Sequence, residues 1–171
     1  MLSATTGETM RKLAILGGVT TAAALAITGL TIRPADSASG RILRLYEHDT
    51  QQALLDLGDK GDSPGDRFVY SGDLFNRRGG KNIGRFAGEC ETVGTGPVHA
   101  ESICSAYINL AAGKITGAGL FSSADIFGGK TVTFPITGGT GAYRNVRGVA
   151  TASIPQDVPN YADASFVLYL N

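Results

Sequence analysis

The chain has 171 residues, of which 43% are hydrophobic and 18% charged, with 15 basic residues against 15 acidic ones. That length fits one domain with a sizeable core, and the balanced charge, with no basic stripe, excludes a nucleic-acid-binding surface. The only histidines, His48 and His99, form no ligand-spaced cluster with the two cysteines, so no metal site is expected.

Met10-Arg11-Lys12 is a short basic segment, followed by an alanine-rich apolar run from Leu13 to Leu30 and the small residues Ala35 to Ser39. This is the pattern of a Sec-type signal peptide over residues 1–39, cut between Ser37 and Gly40. An uncleaved anchor is the competing reading, because the apolar run approaches the roughly 20 residues that span a bilayer. No cysteine stands near the cut to carry a lipid. Removing Arg11, Lys12 and Arg33 on one side and Glu8 and Asp36 on the other leaves 12 basic and 13 acidic residues in 40–171. The mature protein is expected to be exported, with no stable membrane association after cleavage.

From residue 40 onward the pattern is strand, turn, strand. Arg41 to His48 alternates apolar and polar residues and reads as a first strand. Thr50 to Gly58 fits either an extended piece or a helical turn, and Asp59 to Asp66, punctuated by Gly, Pro and Asp, is a loop. Further strands are expected over Arg67–Phe75, Ile83–Val93, Ile103–Ala111, Lys114–Ser122, Thr131–Thr137, Val146–Ile154 and Ala162–Leu170, joined by short turns such as Arg78-Gly79-Gly80. No long amphipathic helix competes. Eight short strands with glycine-rich turns argue for an all-β barrel or sandwich, and eight strands closed into a barrel can hold one small ligand. Gly84, Gly88, Gly117 and Gly119 fall inside strands, where glycine marks bends or places that need room.

The cysteines test the register. If the hairpin folds about Pro97, Cys90 lies opposite Cys104, Phe86 opposite Ile108 and Gly88 opposite Ala106, all on one face. Arg85, Glu89, Glu91, Ser105, Tyr107 and Asn109 then share the other face, so alternation puts small and apolar side chains inside. An even cysteine pair in an exported protein predicts a Cys90–Cys104 disulfide.

Several motifs resemble the allene oxide cyclase and dirigent families, over roughly Leu45 to Leu170. Tyr46-Glu47-x-Asp49 is similar to the first-strand Tyr-Glu-x-Asn of the cyclases, and Ser71-Gly72-Asp73-Leu74 with Ala87-Gly88-Glu89-Cys90 resembles their Gly-Asp-Leu and Ala-Gly-x-Cys run. Gly84-Arg85-Phe86-Ala87-Gly88, Pro135-Ile136-x-Gly138-Gly139-Thr140-Gly141 and Arg147-Gly148 resemble dirigent strands. The glycine block is a barrel corner closed by Tyr143 rather than a phosphate loop, since a strand and not a helix follows it.

The resemblance implies an all-β, eight-stranded antiparallel closed barrel whose cavity steers cyclisation or stereoselective coupling of a hydrophobic substrate, without metal or organic cofactor, and a homo-oligomer of trimeric form. It implies catalytic roles for Glu47 and Asp49, and a substrate cavity lined by Tyr46, Phe86, Gly88, Cys90, Ala106 and Ile108. Asp49 stands where the cyclases have asparagine, and an ionised aspartate only accepts hydrogen bonds whereas asparagine also donates. A disulfide at Cys90 would remove the thiol that the cyclases keep in their cavity. Authentic allene oxide cyclase chemistry is therefore not expected. The alternative is a non-catalytic extracellular carrier or sensor for an apolar ligand.

Overall fold

The computed structural model describes residues 40–98, 100–155, 157 and 162–171. The expected leader, residues 1–39, and His99 lie outside the described residues. Eight antiparallel strands follow one another around a closed barrel: β1 (Arg41–Leu55), β2 (Arg67–Phe75), β3 (Asn82–Gly94), β4 (Glu101–Leu110), β5 (Gly113–Ser122), β6 (Val132–Gly139), β7 (Gly148–Ser153) and β8 (Asp163–Leu170). Each pairs with its sequence neighbours, and β8 closes on β1. The expected architecture stands. Two short elements were not foreseen: a five-residue helix α1 (Ser123–Phe127) between β5 and β6, and a 3-10 turn over Gly141–Tyr143.

The register matches the cysteine count. Phe86 pairs with Ile108, Gly88 with Ala106 and Cys90 with Cys104, and the two cysteines form a disulfide. The segment left open after His48 continues β1 to Leu55. A register shift between Asp49 and Gln51 makes Thr50 an extra residue, a β-bulge that bends the strand and re-aims its side chains.

Alternation divides the interior into two halves. At the end closed by the glycine block, Leu45, Leu74, Ile108, Ile115, Ile136, Leu168 and Leu170 interlock with Tyr143 and Val146. Leu74 and Leu168 are fully buried and Ile115 is 1% exposed, each worth about 1.5–3 kcal/mol of transfer free energy. The corner depends on Gly141, which has φ +60° and whose missing Cβ would lie 2.5 Å from the Ala112 carbonyl oxygen. That close approach lets the Ala142 N–H donate to Ala112 O and drops Tyr143 into the barrel end, where the Arg41 guanidinium sits 5.4 Å from its ring centroid. The other half is less filled and carries the cavity described below.

Two stability outcomes follow from this arrangement. Replacing both cysteines with alanine is expected to lower the unfolding free energy by about 2–3 kcal/mol, the loop-closure contribution for this spacing. Urea denaturation checks it, and coincident curves would show that the bridge adds nothing. Gly141→Ala is expected to cost at least about 1 kcal/mol through its positive φ alone, read as a drop in thermal midpoint.

Candidate active site

At the mouth opposite Tyr143 the barrel holds a cavity of about 100 Å³, small because neighbouring rings occupy much of the interior. Phe68 stacks on Tyr70 at 5.2 Å between ring centroids, Tyr70 on Phe86 at 5.7 Å and Phe86 on Phe166 at 5.0 Å, with interplanar angles of 25–26°. These four rings form one aromatic wall. Phe121 on β5 and Phe134 on the adjacent β6 meet edge to face at 6.1 Å.

The in-strand glycines explain how the rings fit. A Cβ at Gly88 would lie 2.5 Å from the Tyr70 ring, one at Gly117 2.6 Å from Phe134, and one at Gly119 2.7 Å from Phe121. Their missing side chains make room for the wall of the cavity, rather than for a ligand directly. Gly88 therefore supports the site without lining it. Phe86, Cys90 and Ala106 line it as expected, together with Cys104.

Two other expected cavity residues lie elsewhere. Ile108 is 4% exposed within the packed half of the barrel. Tyr46 points to the outer face, because alternation turns it away from Leu45 and Glu47. There its hydroxyl donates to Asp163, which also holds His48 Nδ1 at 2.6 Å, and the Arg78 guanidinium lies 6.0 Å from its ring. Burial and then Asp163 push the Tyr46 phenol up to about 12. Asp73 also faces outward, 3.5 Å from Arg85.

Glu47 and Asp49 share the inward phase of β1 and line the cavity together. Glu47 is 1% exposed. Among the described residues, neither its Oε1 nor Asp49 Oδ1 has a hydrogen-bond partner, whereas Asp49 Oδ2 accepts from Gln52 Nε2 at 2.7 Å. Two ionised carboxylates offer only acceptors, so they can bond to each other only when a proton lies between them.

The proton belongs to Glu47. Burial first, then the facing Asp49, and then Asp163 behind the strand push its carboxyl up to about 10. Tyr70, a member of the aromatic wall, is shifted upward mainly by burial and then by the two carboxylates. It therefore stays a neutral phenol.

The pair depends on Gly72, which lies opposite Asp49. A Cβ there would fall 2.1 Å from the His48 carbonyl oxygen and 2.6 Å from Glu47 Oε1. Glycine at this position lets β1 and β2 approach closely, and the bulge at Thr50 follows immediately. The Asp49 N–H then donates to Ala162 O at 2.7 Å, holding the strand against the chain entering β8.

Most of the aromatic wall and one basic group escaped sequence reasoning. Phe68, Tyr70, Gly72 and Leu74 share one phase of β2, but the inward phase was not evident from that strand alone. Lys130, just before β6, lines the cavity although no motif marks it.

This constellation suits an apolar, ring-containing ligand with one hydrogen-bonding atom. Among the described residues no group of three potential ligating side chains could hold a metal ion, and no helix is long and apolar enough to cross a membrane.

A family profile described as an allene oxide cyclase barrel like domain matches residues 45–168. A sequence search of curated proteins finds no match. Among solved structures, a pyocyanin demethylase superposes with a TM-score of 0.64 at 29% identity, covering 77% of this chain and all of the other. AbnU, an exo-specific intermolecular Diels-Alderase, gives 0.61 at 17% identity, covering 77% and 98%. A pterocarpan synthase dirigent protein gives 0.59 at 16% identity, covering 78% and 95%. At their identities the last two attest the fold alone. The chain belongs to the allene oxide cyclase barrel-like family.

Proposed function

We propose that the barrel binds an apolar, ring-containing small molecule and steers its ring closure, rearrangement or coupling, with Glu47 and Asp49 handling one proton at the deep polar end. The observation that carries this reading is the Glu47 carboxyl, 1% exposed and with Oε1 unpaired, at the edge of an otherwise apolar and aromatic cavity. Such a group costs stability unless something compensates it, and a ligand oxygen or nitrogen would supply the missing partner. The solved structures similar to this one are named for a demethylase of pyocyanin, a Diels-Alderase and a dirigent protein, which supports a small-molecule role without naming the substrate.

In this reading the neutral Glu47 donates to a carbonyl, quinone or ether oxygen and stabilises the charge that gathers there as bonds reorganise. Asp49, held by Gln52, accepts the proton shared with Glu47 or balances positive charge on the ligand. The donor role requires a neutral Glu47, which burial and the facing Asp49 favour. Acid–base assistance of this kind is worth about 10²–10⁴ in rate, and confinement against the aromatic wall selects one ligand conformer. The reading assigns no cofactor.

The disulfide fits an oxidising compartment, which supports the expected export. The expected homo-oligomer would cover the outward stripe formed by Ile42, Tyr169 and Val149, neighbours across β1, β8 and β7 and each 43–52% exposed.

A carbonyl probe tests the donor directly. Bound 2-acetylnaphthalene is expected to show a carbonyl stretch shifted to lower frequency in the wild type. In Glu47→Leu the shift should vanish while the probe still binds. An unshifted band in the bound wild-type complex would remove Glu47 as a donor.

Protonation has a separate signature. Because the folded-state pKa of Glu47 is raised, its stabilising contribution is complete below the unfolded carboxylate value of about 4.3 and is lost as pH rises through the folded value. The wild type should therefore lose stability relative to Glu47→Gln between pH 5 and 9, by up to about 1.4 kcal/mol per pH unit. Urea midpoints at several pH values check the sign, and parallel profiles would show that Glu47 is ionised in the folded protein.

A further inference from the structure

Lys130 supplies a second pole to the cavity. Among the described residues that line it, the charged ones are Glu47, Asp49 and Lys130, so one cation faces the carboxyl pair across an apolar interior. Lys130 lies two residues ahead of Val132, which begins β6. Val132 pairs with Ala152, Ala152 with Phe166 and Phe166 with Leu45. One inward step toward the mouth from Leu45 is Glu47. Three strand spacings of about 4.8 Å therefore separate the poles, about 14 Å along the curved wall, and less across the lumen.

The ammonium is held loosely enough to change partners. Lys130 Nζ pairs at 2.5 Å with Asp125 on α1, but the side chains are 71% and 40% exposed, and an exposed pair of this kind contributes at most about 1 kcal/mol. The backbone is better anchored, because the Lys130 N–H donates to Asp125 O at 3.1 Å. The stem is thus fixed at the rim while its charged head can swing.

Cavity size gives the rim its importance. The cavity volume of about 100 Å³ is below the roughly 150 Å³ of an engineered cavity that binds benzene, so it holds at most one ring. A larger ligand must extend out through the mouth, past Lys130.

Building on the proposed function, we infer that the ligand is two-ended: an aromatic or polyene body with a neutral acceptor atom at Glu47 and an anionic group, a carboxylate or phenolate, at Lys130. The reverse orientation is disfavoured, since an anion at the deep end would face Asp49 and the lone pairs of Glu47 in a low-dielectric setting. Lys130 thereby determines the ligand class and which end of the ligand faces the carboxyl pair. Asp125 is its competitor for the site.

A matched pair of probes tests this: 6-acetylnaphthalene-2-carboxylate and the corresponding carboxamide, equal in shape and differing in charge. Calorimetric titration of the wild type should show the carboxylate binding about three- to fivefold tighter, with the advantage shrinking at 0.5 M salt. Lys130→Met should abolish the preference and leave carboxamide binding unchanged, whereas Asp125→Asn should increase the preference by releasing the ammonium. Equal binding of the two probes by the wild type, or a preference that survives Lys130→Met, overturns the inference. In either case a shifted acetyl stretch in the bound carboxamide would leave the Glu47 reading standing. If neither probe binds the wild type, both readings fall.

Discussion

Closure of eight strands is the constraint on which everything else rests. A closed barrel has no unpaired edge, and its alternating pleat sends every second residue into an interior of limited width. Those inward positions must be filled, left small or made polar for a reason. Here large aliphatic side chains and Tyr143 fill one half. In the other half, glycines at 88, 117 and 119 let aromatic rings lie flat against the wall and leave a cavity between them. The site is what remains when the packing of this half is incomplete.

Within that half, the cost of burying a carboxyl organises the chemistry. Glu47 is taken out of water by the same alternation that buries Leu45, and it faces Asp49 two residues further along β1. Burial and like charge together favour the neutral form. The outward cluster of Tyr46, His48 and Asp163 reinforces this from behind, because Asp163 adds its own charge to the field at Glu47. Thus the residues flanking Glu47 in sequence influence the site from outside the barrel. The close approach of β1 and β2 at Gly72 and the bulge at Thr50 set where the pair is presented.

Relatives with this fold are named for different reactions, which is expected when the fold provides a container and side chains provide the chemistry. The differences from the cyclase pattern lie at the polar end and at the cysteine. Aspartate at 49 turns a neutral hydrogen-bonding neighbour into one that can share a proton, and the disulfide makes Cys90 a structural part of the wall. Both changes depart from the cyclase pattern at the residues that line the cavity.

Much of the fold was legible in the residues themselves. Period-two alternation and glycine-rich turns depend on local geometry, so they marked eight strands, and the spacing of Cys90 and Cys104 set the β3–β4 register without reference to the rest of the chain. Glu47 and Asp49 stood out through the resemblance of Tyr46-Glu47-x-Asp49 to a family motif, and residues two apart on a strand share a face. Which face that was, for β2, required its neighbours. Tyr46 could be assigned to the outside only once β1 was seen paired with β8. The short helix α1 and the bulge at Thr50 have no strong local signal. The stacked wall of Phe68, Tyr70, Phe86 and Phe166 brings together three separate strands, and Lys130 reaches the same cavity from a connection before a fourth. The sequence by itself determined the strands and the bridge, because each is a matter of local spacing. Only the tertiary structure decided the inward face of β2, the aromatic wall and the cation at the cavity rim, because these arise from residues distant in sequence whose proximity is created by closing the sheet.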